Sequence, residues 1–202
     1  FEEKSLSLLE KYKLDYIKIP SGEITNYLFL KKISKLKRKV LLSTGMATIT
    51  EIKQALKVIN RPKKDLTILH CTSDYPANLK DLNLNFIKKL KKFGYEVGYS
   101  DHSSSIITPS IAVALGCKVI EKHFTLDKNL EGNDHKISLL PSEFKEMVFK
   151  IREVEEAPPA LKLSSDMLIG TNPAGATVSS MDRHVIPTAL QSNNATLNAM
   201  VF

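Results

Sequence analysis

The most constraining feature of this sequence is a unit that occurs five times: a short apolar run, then a loop, then an amphipathic stretch. The apolar runs are bounded by turn residues, which is the pattern of buried strands. They read YIKIP, VLLSTGM, LTILHCT, YEVGYSDH and KVIEKHF. A polar residue lies at the downstream end of each run: Lys18, Ser43, His70, Ser100 and His123. Strands that alternate with helices predict a parallel sheet, either doubly wound or closed as a barrel.

Helix signals lie between the predicted strands. Thr48 and Glu51 have the spacing of a capping box ahead of IKQALKVI. The stretch LNLNFIKKLKKFG has apolar residues at helical spacing and ends at Gly94, a favoured residue after a helix. Pro141 and Glu143 begin a last amphipathic stretch. The predicted order is therefore a helix, then strand and helix five times over.

A barrel is favoured because chemically able polar residues end all five predicted strands, as expected when every strand faces one central mouth. A complete (β/α)8 barrel has about 250 residues. We therefore predict an α/β fold of the (β/α)8 TIM-barrel type, incomplete, with about five of the eight strands. Residues 158–202 contain few charges and no sustained period of strand or helix. We expect a partial barrel domain at 1–157 and an irregular C-terminal tail of unknown role at 158–202.

Composition argues against several classes of protein. The net charge is +7, but the lysines lie along helix-like stretches without interleaved aromatic residues, which favours a solvated face over a nucleic-acid site. A leader and a long apolar span are not apparent, so we expect a cytoplasmic protein that does not cross a membrane. Cys71 and Cys117 lie in apolar contexts typical of reduced core thiols. Motifs for nucleotide binding, serine hydrolysis and zinc ribbons do not appear.

Two histidines, His102 and His123, follow neighbouring predicted strands, which would bring both imidazoles to the same rim. Imidazole suits a divalent transition metal such as manganese, iron or zinc. The alternative is that each is a hydrogen-bonded histidine at a strand end. Asp101, Glu121 and Asp134 lie close by in sequence. They are candidates for further ligands, or for groups that orient the ligands.

Lys18 alternates with Ile17 and Ile19, so it points away from the face that these neighbours bury. Inside a barrel it would bind a phosphate or carboxylate, or form a Schiff base. An outward lysine on an edge strand is the alternative. The following loop adds Ser21 and Glu23, a hydroxyl and a candidate general base, although a plain turn also explains it.

Hydroxyl groups follow three more strands. Ser43 leads into the Thr48 cap, where hydroxyls and backbone N–H groups at a helix start can hold an anion. Ser73, Tyr75 and Ser100 occupy comparable loop positions. Each of them can equally be a turn or capping residue.

Taken together and in this order, five strings resemble the sialic acid synthase family, which includes N-acetylneuraminate, legionaminate and pseudaminate synthases. They are YIKIPSGE, LLSTGMAT, ILHCTSDYP, GYSDHSS and IEKHFTLDKNLEGNDHKISLLP. The resemblance covers residues 1–157. It implies a transferase of carbohydrate biosynthesis, which condenses phosphoenolpyruvate with an N-acetylated hexosamine aldehyde such as N-acetylmannosamine. The implied products are a nine-carbon 2-keto sugar acid and phosphate.

The resemblance also implies roles for single residues. His102 and His123 match the metal ligands of the family, which hold Mn²⁺ or Mg²⁺. Lys18, Ser21, Ser43 and Ser100 match positions that hold phosphoenolpyruvate. Glu23 matches a carboxylate placed for proton transfer, and it is expected to be catalytic together with Lys18. Substrate binding is further expected of Ser73, Tyr75 and Asp134, the last two at positions that contact the sugar.

The sequence also departs from the family pattern. Ser73 stands where members often have asparagine, and Glu131-Gly132-Asn133-Asp134 replaces a commoner Pro-Gly-Pro-Asp. The front strands of the family barrel and its small C-terminal domain, which reaches into the partner's site in the family homodimer, are not recognised here. Two alternatives therefore stay open: an inactive fragment or interaction module, and a legionaminate or pseudaminate synthase.

Overall fold

A single parallel sheet organises the chain. The computed structural model describes residues 6, 11, 12 and 14–157, together with the backbone of a strand at 198–201. The strands lie in chain order: β1 (Tyr16–Ile19), β2 (Lys39–Ser43), β3 (Leu66–Cys71), β4 (Glu96–Asp101), β5 (Val119–Lys122) and β6 (Asn198–Val201). A helix follows each of the first five: α1 (Tyr27–Ile33), α2 (Ile49–Ile59), α3 (Phe86–Lys91), α4 (Thr108–Ala114) and α5 (Pro141–Glu156). The alternation predicted from the sequence is confirmed.

The sheet is curved into half of a barrel. Neighbouring strands lie about 4.8 Å apart, so a flat sheet would separate β1 from β5 by roughly 19 Å. Yet Lys18 Nζ, on β1, lies 2.9 Å from Glu121 Oε1, on β5. Because this contact crosses the concave face, the sheet is barrel-like and not open and doubly wound. The predicted TIM-barrel-type fold class is confirmed.

The core lies mainly between the convex face of the sheet and the helices. Ile19, Leu42, Ile68 and Ile120 contribute from the strands, and Met147 contributes from α5. A smaller cluster on the concave face contains the residues Leu41, Leu69 and Val119, with Tyr16 packed against it. This division follows from the two-residue period of a strand, which sends successive side chains to opposite faces.

Local sequence signals set the start of α2 and the packing of β4. The Thr48 backbone N–H donates to Glu51 Oε2 at 2.7 Å, and the Glu51 N–H donates to Thr48 Oγ1 at 3.3 Å, so the capping box forms. In β4, a Cβ at Gly98 would collide with the Leu69 side chain and the Val119 carbonyl. Glycine there allows close packing on the concave face.

The sequence pattern does not predict β6. It lies within the segment expected to be irregular, and it pairs in parallel with β5. A four-residue run is too short to show a strand period, and its pairing uses backbone groups that the edge of β5 offers. The rest of the segment, 158–197 and residue 202, lies outside the described residues.

None of the helices in the described part of the chain is both long and apolar enough to cross a membrane.

Candidate active site

The carboxyl ends of β1 to β5 converge on a cleft with a volume of about 340 Å³. This is the edge where the loops of a parallel sheet place binding groups. The cleft is lined by Lys18, Pro20, Ser21, Ser43, Cys71, Tyr75, Ser100, His102, Glu121, Lys122, His123 and Asp134. Of the predicted site residues, all except Glu23 and Ser73 lie in this lining.

One side of the cleft is a cradle of a lysine and hydroxyl groups. Lys18 contributes its ammonium, and Ser21, Ser43 and Ser100 contribute hydroxyls. The Ser43 hydroxyl oxygen is buried and has no hydrogen-bond partner among the described residues. A buried polar group without a partner is costly, so a ligand that bonded Ser43 would relieve this cost. The donors of the cradle suit a phosphate or carboxylate.

Glu121 holds the lysine of the cradle in place. Its Oε1 accepts from Lys18 Nζ and from Ser100 Oγ, each at 2.9 Å, and Lys18 Nζ also lies 2.9 Å from Oε2. The side chains of Lys18 and Glu121 are 14% and 11% exposed, so water screens this pair weakly. Lys18 therefore faces the interior, as its alternation with two isoleucines predicts.

The other side of the cleft contains the histidine pair. The ring centroids of His102 and His123 are 5.4 Å apart, in an edge-to-face arrangement. His102 Nδ1 lies 2.7 Å from the Thr72 carbonyl, a contact in which the nitrogen donates and which leaves Nε2 with a lone pair. Burial lowers the pKa of His102, which favours the neutral imidazole that binds metals.

Tyr75 covers Nε2 of His102. Its ring stacks on the imidazole at a centroid distance of 4.1 Å, and its hydroxyl lies 3.2 Å from Nε2. Burial raises the pKa of Tyr75 to about 12, so the phenol stays protonated and donates this hydrogen bond. The imidazole of His123 is less enclosed than that of His102, and its Nδ1 lies 3.9 Å from Asp134 Oδ2.

The donor set fits a metal that keeps open coordination positions. Among the described residues, no group of three or more His, Cys, Asp or Glu side chains is placed to hold a metal. Two facing imidazoles with nearby carboxylates would leave the remaining positions to water or substrate, as catalytic sites require. The bonding of His102 to a backbone carbonyl is typical of metal-ligating histidines.

The last two predicted residues lie beside the cleft. Ser73 lines an adjoining pocket, where its Oγ is 3.1 Å from Ser21 Oγ. Gly45 makes this approach possible, because its φ is +49° and a Cβ would collide with both serines. Glu23 ends a short 3₁₀ helix, and its carboxylate accepts from Asn26 Nδ2 at 2.7 Å. Glu23 is not among the residues that line the cleft.

The sequence patterns do not predict the contact of Glu121 with Lys18, nor that Cys71 and Lys122 line the cleft. By the two-residue period, Val119, Glu121 and the following His123 lie on one face of β5 and its extension. This period predicts that Glu121 faces the interior. Cys71 Sγ lies 3.8 Å from His102 Nδ1, and burial raises the pKa of this thiol, so it stays protonated. For Lys122 the strand period predicts the opposite face.

The chain is similar to known proteins in sequence and in fold. Residues 1–160 match the sequence profile described as the NeuB family. The chain is 50% identical over 161 residues to the N,N'-diacetyllegionaminic acid synthase of Campylobacter jejuni, an alignment that covers 78% of this chain and 48% of the relative. It is 42% identical to the pseudaminic acid synthase of the same organism, over 82% of this chain and 49% of the relative.

Among solved structures, the sialic acid synthetase of Leptospira borgpetersenii matches with a TM-score of 0.77 and 32% identity. The match covers 96% of this chain and 64% of that one. The chain spans about half the length of the curated relatives it matches.

Proposed function

Since the chain belongs to the NeuB family, we propose that its cleft is that of a synthase which condenses phosphoenolpyruvate with the open-chain aldehyde of an N-acetylated amino sugar. The products are a nine-carbon 2-keto sugar acid and phosphate. The observation that carries the proposal is the single cleft in which an ammonium and three hydroxyls lie beside a pair of histidines. Such a site can hold an anion and a metal next to each other.

Phosphoenolpyruvate occupies the cradle in this proposal. Lys18 and the hydroxyls of Ser21 and Ser43 bind its phosphate and carboxylate oxygens, and Ser100 joins them when its hydroxyl turns from Glu121 to the substrate. Glu121 holds Lys18 and Ser100 in a fixed arrangement before the substrate arrives. This preorganisation reduces the cost of ordering the cradle when the substrate binds.

His102 and His123 hold the metal, Mn²⁺ or Mg²⁺, with the neutral state of His102 favoured by burial. When bound, the metal supplies a Lewis acid that polarises the aldehyde. The enolpyruvate C3 forms a bond to the aldehyde carbon, and the aldehyde oxygen gains a proton. Water adds at C2, and the C–O bond to phosphate breaks to leave the 2-keto group. One water is consumed and one phosphate is released.

The sugar lies on the histidine side of the cleft. Tyr75 and Asp134 line this side, whereas Ser73 lies in the adjoining pocket, in contact with Ser21 of the cradle. Glu23 is proposed for proton transfer, for which its carboxylate turns from Asn26, 2.7 Å away, toward the cleft that it does not line in this structure. Exchange of one amide partner for a substrate is within the reach of a part-exposed side chain.

For the sugar, we propose the precursor of an N,N'-diacetylated acid in preference to N-acetylmannosamine. The support is the 50% identity with the N,N'-diacetyllegionaminic acid synthase of Campylobacter jejuni, against 36% with the N-acetylneuraminate-9-phosphate synthase of human. A panel of both sugars separates the two proposals by the ratio of their kcat/KM values.

A second proposal is that the chain binds these ligands without turnover. It is supported by the lining of the cleft, which contains the lysine cradle and both histidines but not Glu23, the residue expected for proton transfer. In that case the cleft would bind Mn²⁺ and phosphoenolpyruvate, and no phosphate would be released with either sugar.

The test is phosphate release from phosphoenolpyruvate with each sugar and Mn²⁺. The unaltered chain is compared with a His102→Ala/His123→Ala variant. Release that needs sugar, metal and both histidines is the expected result. The absence of release from a folded sample that binds phosphoenolpyruvate favours the binding proposal, and the absence of both binding and release overturns the assignment.

A further inference from the structure

We propose that the buried ion pair of Asp101 and Lys122 is a positioning device for the two histidines, an inference that rests on the proposed function. Lys122 Nζ lies 2.8 Å from Asp101 Oδ2, and the two side chains are 1% and 0% exposed. The pair lies in the layer between sheet and helices, where the other packed side chains are mainly apolar.

The strand period puts the pair directly behind the site. On β4, Asp101 alternates with Ser100 and His102, and on β5, Lys122 alternates with Glu121 and His123. The residues of the site face the cleft, whereas Asp101 points to the convex face. Each member of the pair therefore precedes one histidine in the chain, and any displacement of the pair moves the histidine backbone.

The pair also closes the ladder between the two strands. Asp101 and Lys122 are the last registered partners of β4 and β5. Beyond them the strands separate: the His102 carbonyl accepts from the Ala77 N–H, and the His123 carbonyl accepts from the Leu139 N–H. The side-chain ion pair is thus a cross-strand bond at the point from which both histidines extend.

Asp101 further fixes the turn that contains His102. Its Oδ1 accepts from the Ser103 N–H at 2.8 Å and from the Tyr99 hydroxyl at 3.0 Å. Its Oδ2 accepts from Thr108 Oγ1 at 2.8 Å as well as from Lys122. Lys122 Nζ in turn donates to the Ser103 carbonyl. His102 is therefore bracketed by two residues that share one network of bonds.

Stability alone does not account for this pair. Removing two charges from water costs about as much as their attraction returns, and an apolar pair of similar volume is often as stable. Lys122 reaches the cleft lining, but its ammonium bonds Asp101 and Ser103 and so is not free to meet a substrate. What the network supplies is a defined geometry at two strand ends.

The test uses the full chain with Asp101→Asn/Lys122→Met, which replaces the ion pair by a neutral amide and an apolar chain. The matched control is Lys150→Met/Glu146→Gln, which removes a 3.3 Å ion pair on α5, outside β4 and β5. Three quantities are measured: the melting temperature, the Kd for Mn²⁺ from the electron paramagnetic resonance of the free ion, and the imidazole ¹⁵N shifts without metal.

In Asp101→Asn/Lys122→Met, we expect the His102 and His123 shifts to change while those of His135 stay, and the Kd for Mn²⁺ to rise about 10- to 100-fold. The control should match the unaltered chain. Unchanged histidine shifts and an unchanged Kd in the folded variant would overturn the inference. If that variant does not fold, Thr108→Val, which removes one donor to Asp101, is read in the same way with a smaller effect.

Failure of the proposed function gives a different result. If the unaltered chain does not bind Mn²⁺ but its metal-free histidine shifts respond to the pair, the positioning role stands. The metal assignment is then what fails.

Discussion

At the scale of single residues, a side chain of the cleft is hydrogen-bonded to an atom that a metal would bind. The hydroxyl of Tyr75 bonds the nitrogen of His102 that a metal would use. Its ring also stacks on the imidazole and meets His123 edge-on at 5.9 Å. A metal at His102 must therefore displace this hydrogen bond, although the stacking can remain.

Replacing Tyr75 by phenylalanine should tighten metal binding. Tyr75→Phe keeps the ring and removes the competing hydrogen bond, which is worth about 1 kcal/mol net. The Kd for Mn²⁺ in the absence of sugar should fall roughly fivefold, as measured by electron paramagnetic resonance. Tyr12→Phe, at an exposed tyrosine, is the control. An equal or weaker affinity in Tyr75→Phe would show that the hydroxyl does not compete.

Another histidine, His70, lies in the core and should make the free energy of unfolding depend on pH. It is buried beneath the strand ends, where its Nε2 lies 2.7 Å from the Leu82 carbonyl and its Nδ1 has no partner among the described residues. Burial lowers the pKa of His70, and the Leu82 contact opposes this only in part. The folded state therefore binds this proton less readily than the unfolded state.

The free energy of unfolding should consequently depend on pH through His70. The contribution is fully present above the unfolded pKa of about 6.5 and is lost as the pH falls through the lower, folded value. Urea unfolding at pH 8 and at pH 5 measures this loss. In His70→Gln the loss should be smaller, with His102 contributing part of the remainder because its pKa is also lowered. The same loss in both proteins would refute the assignment to His70.

At the scale of elements, the helices are positioned by caps that the sequence encodes locally. The reciprocal bonds of Thr48 and Glu51 begin α2 directly after the loop that follows Ser43 and contains Gly45. Because the cap begins α2 next to this loop, the stability of the helix affects the position of the loop beside the cradle. Glu143 plays a similar part for α5, where its carboxylate accepts from the Leu140 N–H at 2.8 Å.

Removal of the α2 cap should destabilise the fold by about 1 kcal/mol. Thr48→Ala loses the side-chain acceptor for the Glu51 N–H, and urea unfolding measures the change. Thr50→Ala, at an exposed position in the first turn of the same helix, serves as the control. Equal stabilities of the two variants would mean that the cap contributes little.

At the scale of the whole molecule, the chain has a net charge of +7, and we propose that its cleft binds an anion. Exposed lysines concentrate on α3 and the turn after it, among them Lys88 and Lys92. Such a field speeds the arrival of an anion, and salt screens it over a Debye length of about 10 Å at 0.1 M ionic strength.

Reducing this charge should slow phosphoenolpyruvate binding only at low salt. Lys88→Gln/Lys92→Gln should lower the association rate roughly twofold near 0.01 M salt and leave it unchanged near 0.5 M. Stopped-flow binding measures both rates. Lys18→Gln is the contrasting variant, because it removes a group of the cradle and should weaken binding at both salt concentrations. If Lys88→Gln/Lys92→Gln lowered the association rate equally at both salt concentrations, electrostatic steering would be contradicted.

The sequence by itself determined the alternation of strands and helices and the residues that meet at the mouth. Apolar runs with a two-residue period and helix caps are local signals, and parallel strands bring their carboxyl ends to one edge by topology. The positions of Lys18, Ser43, Ser100, His102 and His123 at successive strand ends were therefore enough to predict that they share one cleft.

Only the tertiary structure decided which of these groups bond one another. The contact of Lys18 with Glu121 joins residues 103 positions apart and depends on the curvature of the sheet. The turn of Glu23 toward Asn26 and the pairing of β6 with β5 depend on loop paths and open edges. The Asp101 and Lys122 pair depends on strand register. Curvature, loop path and register arise from contacts between elements, so they leave no periodic signal in the sequence.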